Sequence, residues 1–147
     1  MKIKKIFQII SYLQYPLMLM ALFFAIKPYL NGLEYMVDHP EEMLNSFKNV
    51  LIFTGIGISF STLQDTSKTQ NNFSKKIWIS PKRGKWMIFF MSVLTFSTII
   101  LGVVFYFFSA NLKLEELSIG LIILGIGLIG FLKTGIELFE NHRSDKN

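Results

Sequence analysis

The chain has 147 residues, about half of them hydrophobic, with 15 phenylalanines and no cysteine. The absence of cysteine excludes a disulfide framework, a thiolate metal site and thiol chemistry. The net charge of +5 is divided among short segments that flank apolar runs, so it indicates membrane topology rather than a nucleic-acid surface.

The first apolar run covers 21 residues, 6–26, without a formal charge. At a rise of ~1.5 Å per residue such a helix crosses a ~30 Å hydrocarbon core, which predicts a membrane helix over residues 6–27. The opening MKIKK also resembles a signal peptide, but the run exceeds an h-region of about 7–15 residues and no clear A-x-A site follows, which favours an uncleaved anchor. Pro16 predicts a kink in this helix. Gln8, Ser11 and Tyr15 share one face, which we expect to contact protein.

An acidic loop leads to a second helix, predicted over residues 43–63. Its one cation, Lys48, lies about one turn from the outer end, where we expect it to pair with Glu41 or Glu42. Small and polar residues fall close to one stripe of this helix: Asn45, Asn49, Gly55, Ser59 and Thr62.

A polar and basic connector, residues 64–85, separates two apolar halves. It carries six basic residues against one acid, Asp65, so it should stay in the cytoplasm and lie on the anionic inner leaflet. The alternatives are a solvated linker or a docking segment for a cytoplasmic partner in residues 62–72. The residues predicted to contact lipid headgroups or a partner are Lys75, Lys76, Trp78, Lys82, Arg83 and Lys85.

Two further helices are predicted over residues 86–111 and 116–137. The first of them lies in a run of 27 residues, 86–112, that carries no charge. The turn between the two helices is so short that they should form an antiparallel hairpin. Small residues permit close approach of helix backbones in lipid. On this basis the residues predicted to pack helices together are Gly55, Ser59, Gly102, Gly120, Gly127 and Gly130.

The sequence therefore predicts an all-α polytopic membrane protein, a single membrane domain over 1–147 with four transmembrane helices arranged as two antiparallel hairpins. Placing both termini and the connector on one side collects 12 of the 15 basic residues there and leaves three basic and six acidic residues on the other. This distribution predicts a cytoplasmic (inner) membrane protein with both termini in the cytoplasm. LIFTGIG (51–57) resembles LIILGIG (121–127), which raises the hypothesis of a duplicated hairpin related by an axis along the membrane normal.

No catalytic, cofactor-binding or metal-binding residue is predicted, since His39 and His142 should lie on opposite sides of the membrane and no span has a central carboxylate. The leading hypothesis is a non-enzymatic scaffold or accessory subunit, a four-helix bundle that packs with itself or a membrane partner through its Gly/Ser/Thr faces. The alternative is a small oligomeric channel or transporter, with a polar path past Ser59, Thr95 and Thr98. The expected partners are an anionic bilayer leaflet and a second copy or a partner protein, without nucleic acid.

Overall fold

The computed structural model describes residues 2–32, 37–67, 72–109 and 112–146, which are almost entirely helical and include no strand. Four helical segments in these ranges are long and apolar enough to cross a membrane: Ile3–Leu30, Pro40–Ser61, Pro81–Phe108 and Leu114–His142. The prediction of an all-helical protein with four membrane-spanning helices is thus confirmed at the level of length and composition. The helices are α1 (Lys2–Ser11), α2 (Gln14–Ile26), α3 (Pro40–Ser61), α4 (Asn72–Ile79), α5 (Pro81–Phe108) and α6 (Leu112–His142), with short 3₁₀ turns at Lys27–Asn31 and Ser144–Lys146.

The first span is broken between α1 and α2, at Tyr12 and Leu13. Pro16 has no N–H to donate to the Tyr12 carbonyl four residues earlier. The Tyr15 N–H donates to that carbonyl instead, at 3.1 Å. The regular α-helical hydrogen bonding is therefore interrupted one turn before Pro16, while the kink predicted from this proline stays a prediction.

Two helices begin earlier than the hydropathy pattern predicts, because each starts with a proline in its first turn, where the missing N–H costs no hydrogen bond. Helix α3 begins at Pro40 and α5 at Pro81. Consequently Lys82, Arg83 and Lys85 lie on the first turns of α5, and a further helix, α4, occupies part of the predicted connector.

The helices pack as an open row in the order α2, α3, α6, α5. Extensive contacts join each neighbouring pair, whereas no comparable contact joins α2 to α5 among the described residues. A closed four-helix bundle would require that fourth contact. The predicted bundle is therefore open on one side.

The outer helices run opposite to the neighbours on which they pack. Phe24 of α2 stacks on Phe53 of α3 with ring centroids 5.5 Å apart, and Met18, earlier in α2, lies against Gly57, later in α3. In the same way, contacts of α5 with α6 pair Gly102 with Ile122, Thr95 with Leu128, and Gly84 with Phe139. That these pairs cross a bilayer as two hairpins stays a prediction, because contacts between helices do not show where lipid lies.

The two central helices run in the same direction. Contacts between them pair Lys48 with Gly120, Gly55 with Leu124, and Thr62 with Gly130. Long-range contact between the two halves of the chain is thus concentrated along α3 and α6.

Each central helix uses a Gly-x-Gly sequence to contact both neighbours. Residues two apart point about 200° apart around a helix; accordingly Gly55 faces α6 while Gly57 faces α2. In α6, Gly125 lies against Ile99 of α5 and Gly127 against Gly55. In the sequence repeat, Gly125 corresponds to Gly55, which faces α6. A duplication related by an axis between α3 and α6 would therefore place Gly125 against α3. Gly125 contacts α5 instead, so the packing does not follow the sequence repeat.

Candidate functional site at the connector end of the helices

Helix α4 is held against the ends of α5 and α6 by a tryptophan. Trp78 is only 6% exposed and packs in a core with Met91 and Phe139. The sequence predicts this indole at a headgroup or partner contact; the structure places it inside, where its large apolar area is removed from solvent. Trp78 therefore positions α4 instead of reaching outward.

An open depression of about 440 Å³ lies between α4 and the start of α5. We call it the basic depression; its lining residues are Asn72, Lys75, Lys76, Ile79, Ser80 and Arg83. It brings together three of the cations that the sequence predicts as headgroup or partner contacts. The other two, Lys82 and Lys85, are exposed on α5 and do not line it.

Among the residues that the structure describes, no acidic side chain lines the basic depression. Within the described ranges, Lys75, Lys76 and Arg83 make no ion pair, and the sequence has no acid between Asp65 and Glu115. Acids do lie on the adjoining end of α6, but they have local partners: Lys133 pairs with Glu137 at 2.7 Å and Arg143 with Glu140 at 3.2 Å. The depression is therefore a concentrated positive site.

A second, polar cleft of about 370 Å³ opens at the same end, beside the break in the first span. The lining residues are Gln14, Tyr15, Ser61, Gln64, Asp65, Thr66, Ser74, Phe131, Thr134 and Leu138. We call this the polar cleft.

Hydrogen bonds tie the walls of the polar cleft to the first span and to α6. The Asp65 N–H donates to Gln8 Oε1 at 3.3 Å, and Thr66 Oγ1 lies 3.4 Å from Glu137 Oε2. Thr134 Oγ1 is buried and has no hydrogen-bond partner in the described structure. The polar stripe of the first helix signals this region in the sequence, whereas Thr134 gives no such signal.

The five glycines predicted to pack helices lie at helix contacts inside the chain, whereas Ser59 hydrogen-bonds to the backbone of its own helix. A Cβ added at Gly55 would lie 2.7 Å from the Ile123 carbonyl oxygen, and one added at Gly120 would lie 3.0 Å from the Lys48 carbonyl oxygen. Gly127 lies against the Gly55 backbone, Gly130 against the Thr62 side chain, and Gly102 against Ile122. These glycines therefore contact neighbouring helices of the same chain.

The hydroxyl groups considered for a polar path are directed to their own helix backbones. Ser59 donates to the Gly55 carbonyl at 3.0 Å, Thr95 to the Met91 carbonyl at 2.7 Å, and Thr98 to the Leu94 carbonyl at 2.8 Å. Such bonds satisfy the hydroxyls locally. The polar cleft, not this set, is where uncharged polar groups converge.

At the opposite end, an ion pair links the two central helices. Lys48 Nζ lies 2.9 Å from Glu116 Oε2 of α6, whereas the sequence suggested Glu41 or Glu42 as its partner. The parallel packing of α3 and α6 brings Glu116 to this position. In the part of the chain that the structure describes, no three His, Cys, Asp or Glu side chains are grouped so as to hold a metal ion.

The fold and these surfaces define a multipass membrane protein with four membrane-spanning helices. Comparison of the chain with protein-family models, with curated proteins and with solved structures finds no match.

Proposed function

We propose that this chain is a non-enzymatic membrane scaffold or accessory subunit that assembles with itself or with a membrane partner protein. The observation that supports this is the open row of helices. Helix α2 has one extensive helix neighbour, α3, and of its residues only Ala21 is buried; α5 likewise rests on α6, apart from its contact with the short α4. Lateral assembly would give both edge helices a second neighbour.

The open row also changes which residues should form the assembly surface. Four of the predicted packing glycines, Gly55, Gly120, Gly127 and Gly130, are used between α3 and α6. The available faces are therefore those of α2 and α5, where Leu19 is 65% and Phe96 59% exposed. Association in lipid depends on van der Waals packing, which such apolar faces supply when they are complementary.

Single-cysteine cross-linking tests this proposal, because the natural chain has no cysteine. Leu19→Cys and Phe96→Cys are placed on the two edges, and Leu128→Cys, which is buried, serves as the control. We expect oxidation in native membranes to give a disulfide-linked dimer, or a cross-link to one stoichiometric partner, from at least one edge and none from the control. A monomer in mild detergent and in nanodiscs, without cross-links from either edge, would reject the proposal.

The polar cleft favours a second candidate, a small channel or transporter whose path begins at the break in the first span. Under this hypothesis the cleft admits a small polar solute at the connector end, with Gln14 and Thr134 at its walls. Reconstituted protein would then pass solutes or ions, and Gln14→Leu with Thr134→Val would reduce the flux. Ser97→Ala, an exposed hydroxyl change outside the cleft, is the matched control.

A further inference from the structure

We propose that the basic depression binds the phosphate group of an anionic phospholipid. This site is distinct from the helix faces proposed for assembly, and it does not depend on that proposal. It does require that α5 crosses a bilayer.

The lining groups of the basic depression match a phosphate in charge and in hydrogen bonding. Arg83 presents a planar fork of N–H donors that suits two phosphate oxygens, while Lys75 and Lys76 supply compact positive charges. Asn72 and Ser80 add uncharged polar groups. Ser80 stands at the N-cap position of α5 but makes no capping hydrogen bond through its side chain, so its hydroxyl is not committed to the helix.

The depth of the depression along α5 points to a lipid rather than to a soluble phosphate. The charge-free run of this helix begins at Trp86, so the hydrocarbon core begins near that residue. Arg83 and Ser80 precede Trp86 by three and six residues, or roughly 4.5 and 9 Å along the axis. The headgroup layer extends about 5–8 Å outside the hydrocarbon, so Arg83 lies within this layer and Ser80 lies just beyond its outer edge.

The depression is also held in shape and has an apolar wall. Burial of Trp78 fixes α4 against α5 and α6, so the backbone positions of Lys75 and Lys76 are set before any ligand arrives. Ile79 lines the same depression and offers contact to the glycerol and upper acyl carbons of a lipid. A site organised in this way should be saturable, unlike a diffuse layer of counterions.

Lipid binding to the purified full-length chain tests the proposal. We compare phosphatidic acid and phosphatidylcholine by native mass spectrometry of the detergent-solubilised protein, with inorganic phosphate in a separate competition arm. The site variant carries Lys75→Gln, Lys76→Gln and Arg83→Gln. The matched control carries Lys5→Gln, Lys82→Gln and Lys85→Gln, which removes the same charge from exposed residues that do not line the depression.

We expect saturable binding of phosphatidic acid over phosphatidylcholine. Since one basic residue near an anionic surface contributes about fivefold in affinity, the site variant should lose about 100-fold. The control variant should lose less than about tenfold in affinity for phosphatidic acid. The single variant Arg83→Gln should show an intermediate loss, which keeps the test valid if the triple variant does not fold.

Three results would overturn the proposal. Equal losses in the site and control variants would show a diffuse electrostatic surface. Equal binding of phosphatidylcholine, whose phosphate is balanced by the choline cation, would show that a net anionic headgroup is not recognised. Displacement of phosphatidic acid by millimolar inorganic phosphate would show that a soluble phosphate compound is the ligand.

Discussion

Gly55 and Gly127 decide how closely the two central helices approach each other. Each lies against the backbone of the opposite helix, so there is no side chain between them that could move aside. Gly130, less than one turn from Gly127, instead faces the Thr62 side chain, with a Cβ position 3.1 Å from Thr62 Cγ2. The two glycines of α6 therefore differ in what an added methyl group would meet.

We predict that Gly127→Ala destabilises the protein and that Gly130→Ala does so much less. Both changes gain the same helix propensity, but only the first forces two backbones apart, at a cost of about 1–3 kcal/mol. Thermal unfolding in mild detergent should show a midpoint several degrees lower for Gly127→Ala. Equal midpoints for the two variants would contradict backbone contact at Gly55.

The two tryptophans should report opposite environments. Trp78 is buried, while Trp86 is 66% exposed on the face of α5 that would meet lipid. We predict that Trp86→Phe, which retains Trp78, leaves fluorescence that aqueous acrylamide quenches weakly. Trp78→Phe, which retains Trp86, should be quenched strongly by brominated lipids. If both single-tryptophan proteins respond alike to the two quenchers, the placement of Trp78 is wrong.

At the scale of helices, α4 is held mainly through Trp78, which is buried, with Ile77 partly buried against the same core. The described contacts of α4 are with α5 and α6, through the core around Trp78. Removing a large buried aromatic side chain costs about 3–5 kcal/mol, more than a helix of eight residues can recover from its own hydrogen bonds.

We predict that Trp78→Ala releases α4 while the four long helices stay packed. Limited proteolysis with trypsin should then cut at Lys75 or Lys76 much faster than in the natural protein, and Trp78→Phe should give an intermediate rate. The elution volume in detergent serves as the control for global folding. Unchanged cleavage in Trp78→Ala would show that other contacts hold α4.

The ion pair between Lys48 and Glu116 joins α3 to α6 at the end opposite the connector. The Glu116 side chain is 64% exposed, so solvent screens the attraction. We predict a coupling energy of at most about 1 kcal/mol in a double-mutant cycle of Lys48→Met and Glu116→Gln. A larger coupling, measured from unfolding in detergent, would mean that the pair lies deeper in the bilayer than the charge pattern indicates.

At the scale of the whole molecule, the distribution of basic residues determines the expected orientation. Ser67 and Asn141 are exposed at the connector end and in the last turn of α6, and Val37 is 80% exposed in the acidic segment before α3. We predict that a membrane-impermeant maleimide applied to intact cells labels Val37→Cys but neither Ser67→Cys nor Asn141→Cys. Lysed cells, in which all three variants should react, provide the control. Labelling of Ser67→Cys and Asn141→Cys on opposite sides would overturn the four-span topology.

The amino-acid sequence by itself determined the number of apolar spans, their approximate extents and the charge asymmetry between the segments that join them. These features follow from the chain locally, because a charge-free run is either long enough to cross a hydrocarbon core or it is not. The first turns of α3 and α5, each of which starts with a proline, and the helix α4 within the connector were local features that hydropathy did not resolve.

Only the tertiary structure decided which faces of the helices meet. Lipid and a neighbouring helix are both apolar, so hydropathy does not distinguish a face that packs on protein from one that meets lipid. The sequence thus suggested the packing glycines but not that Gly55 and Gly57 serve opposite neighbours, nor that the row stays open between α2 and α5. Likewise, the sequence marked a basic segment but not its arrangement. The burial of Trp78 against α5 and α6 brings Lys75, Lys76 and Arg83 into one depression. Lys82 and Lys85 lie outside it.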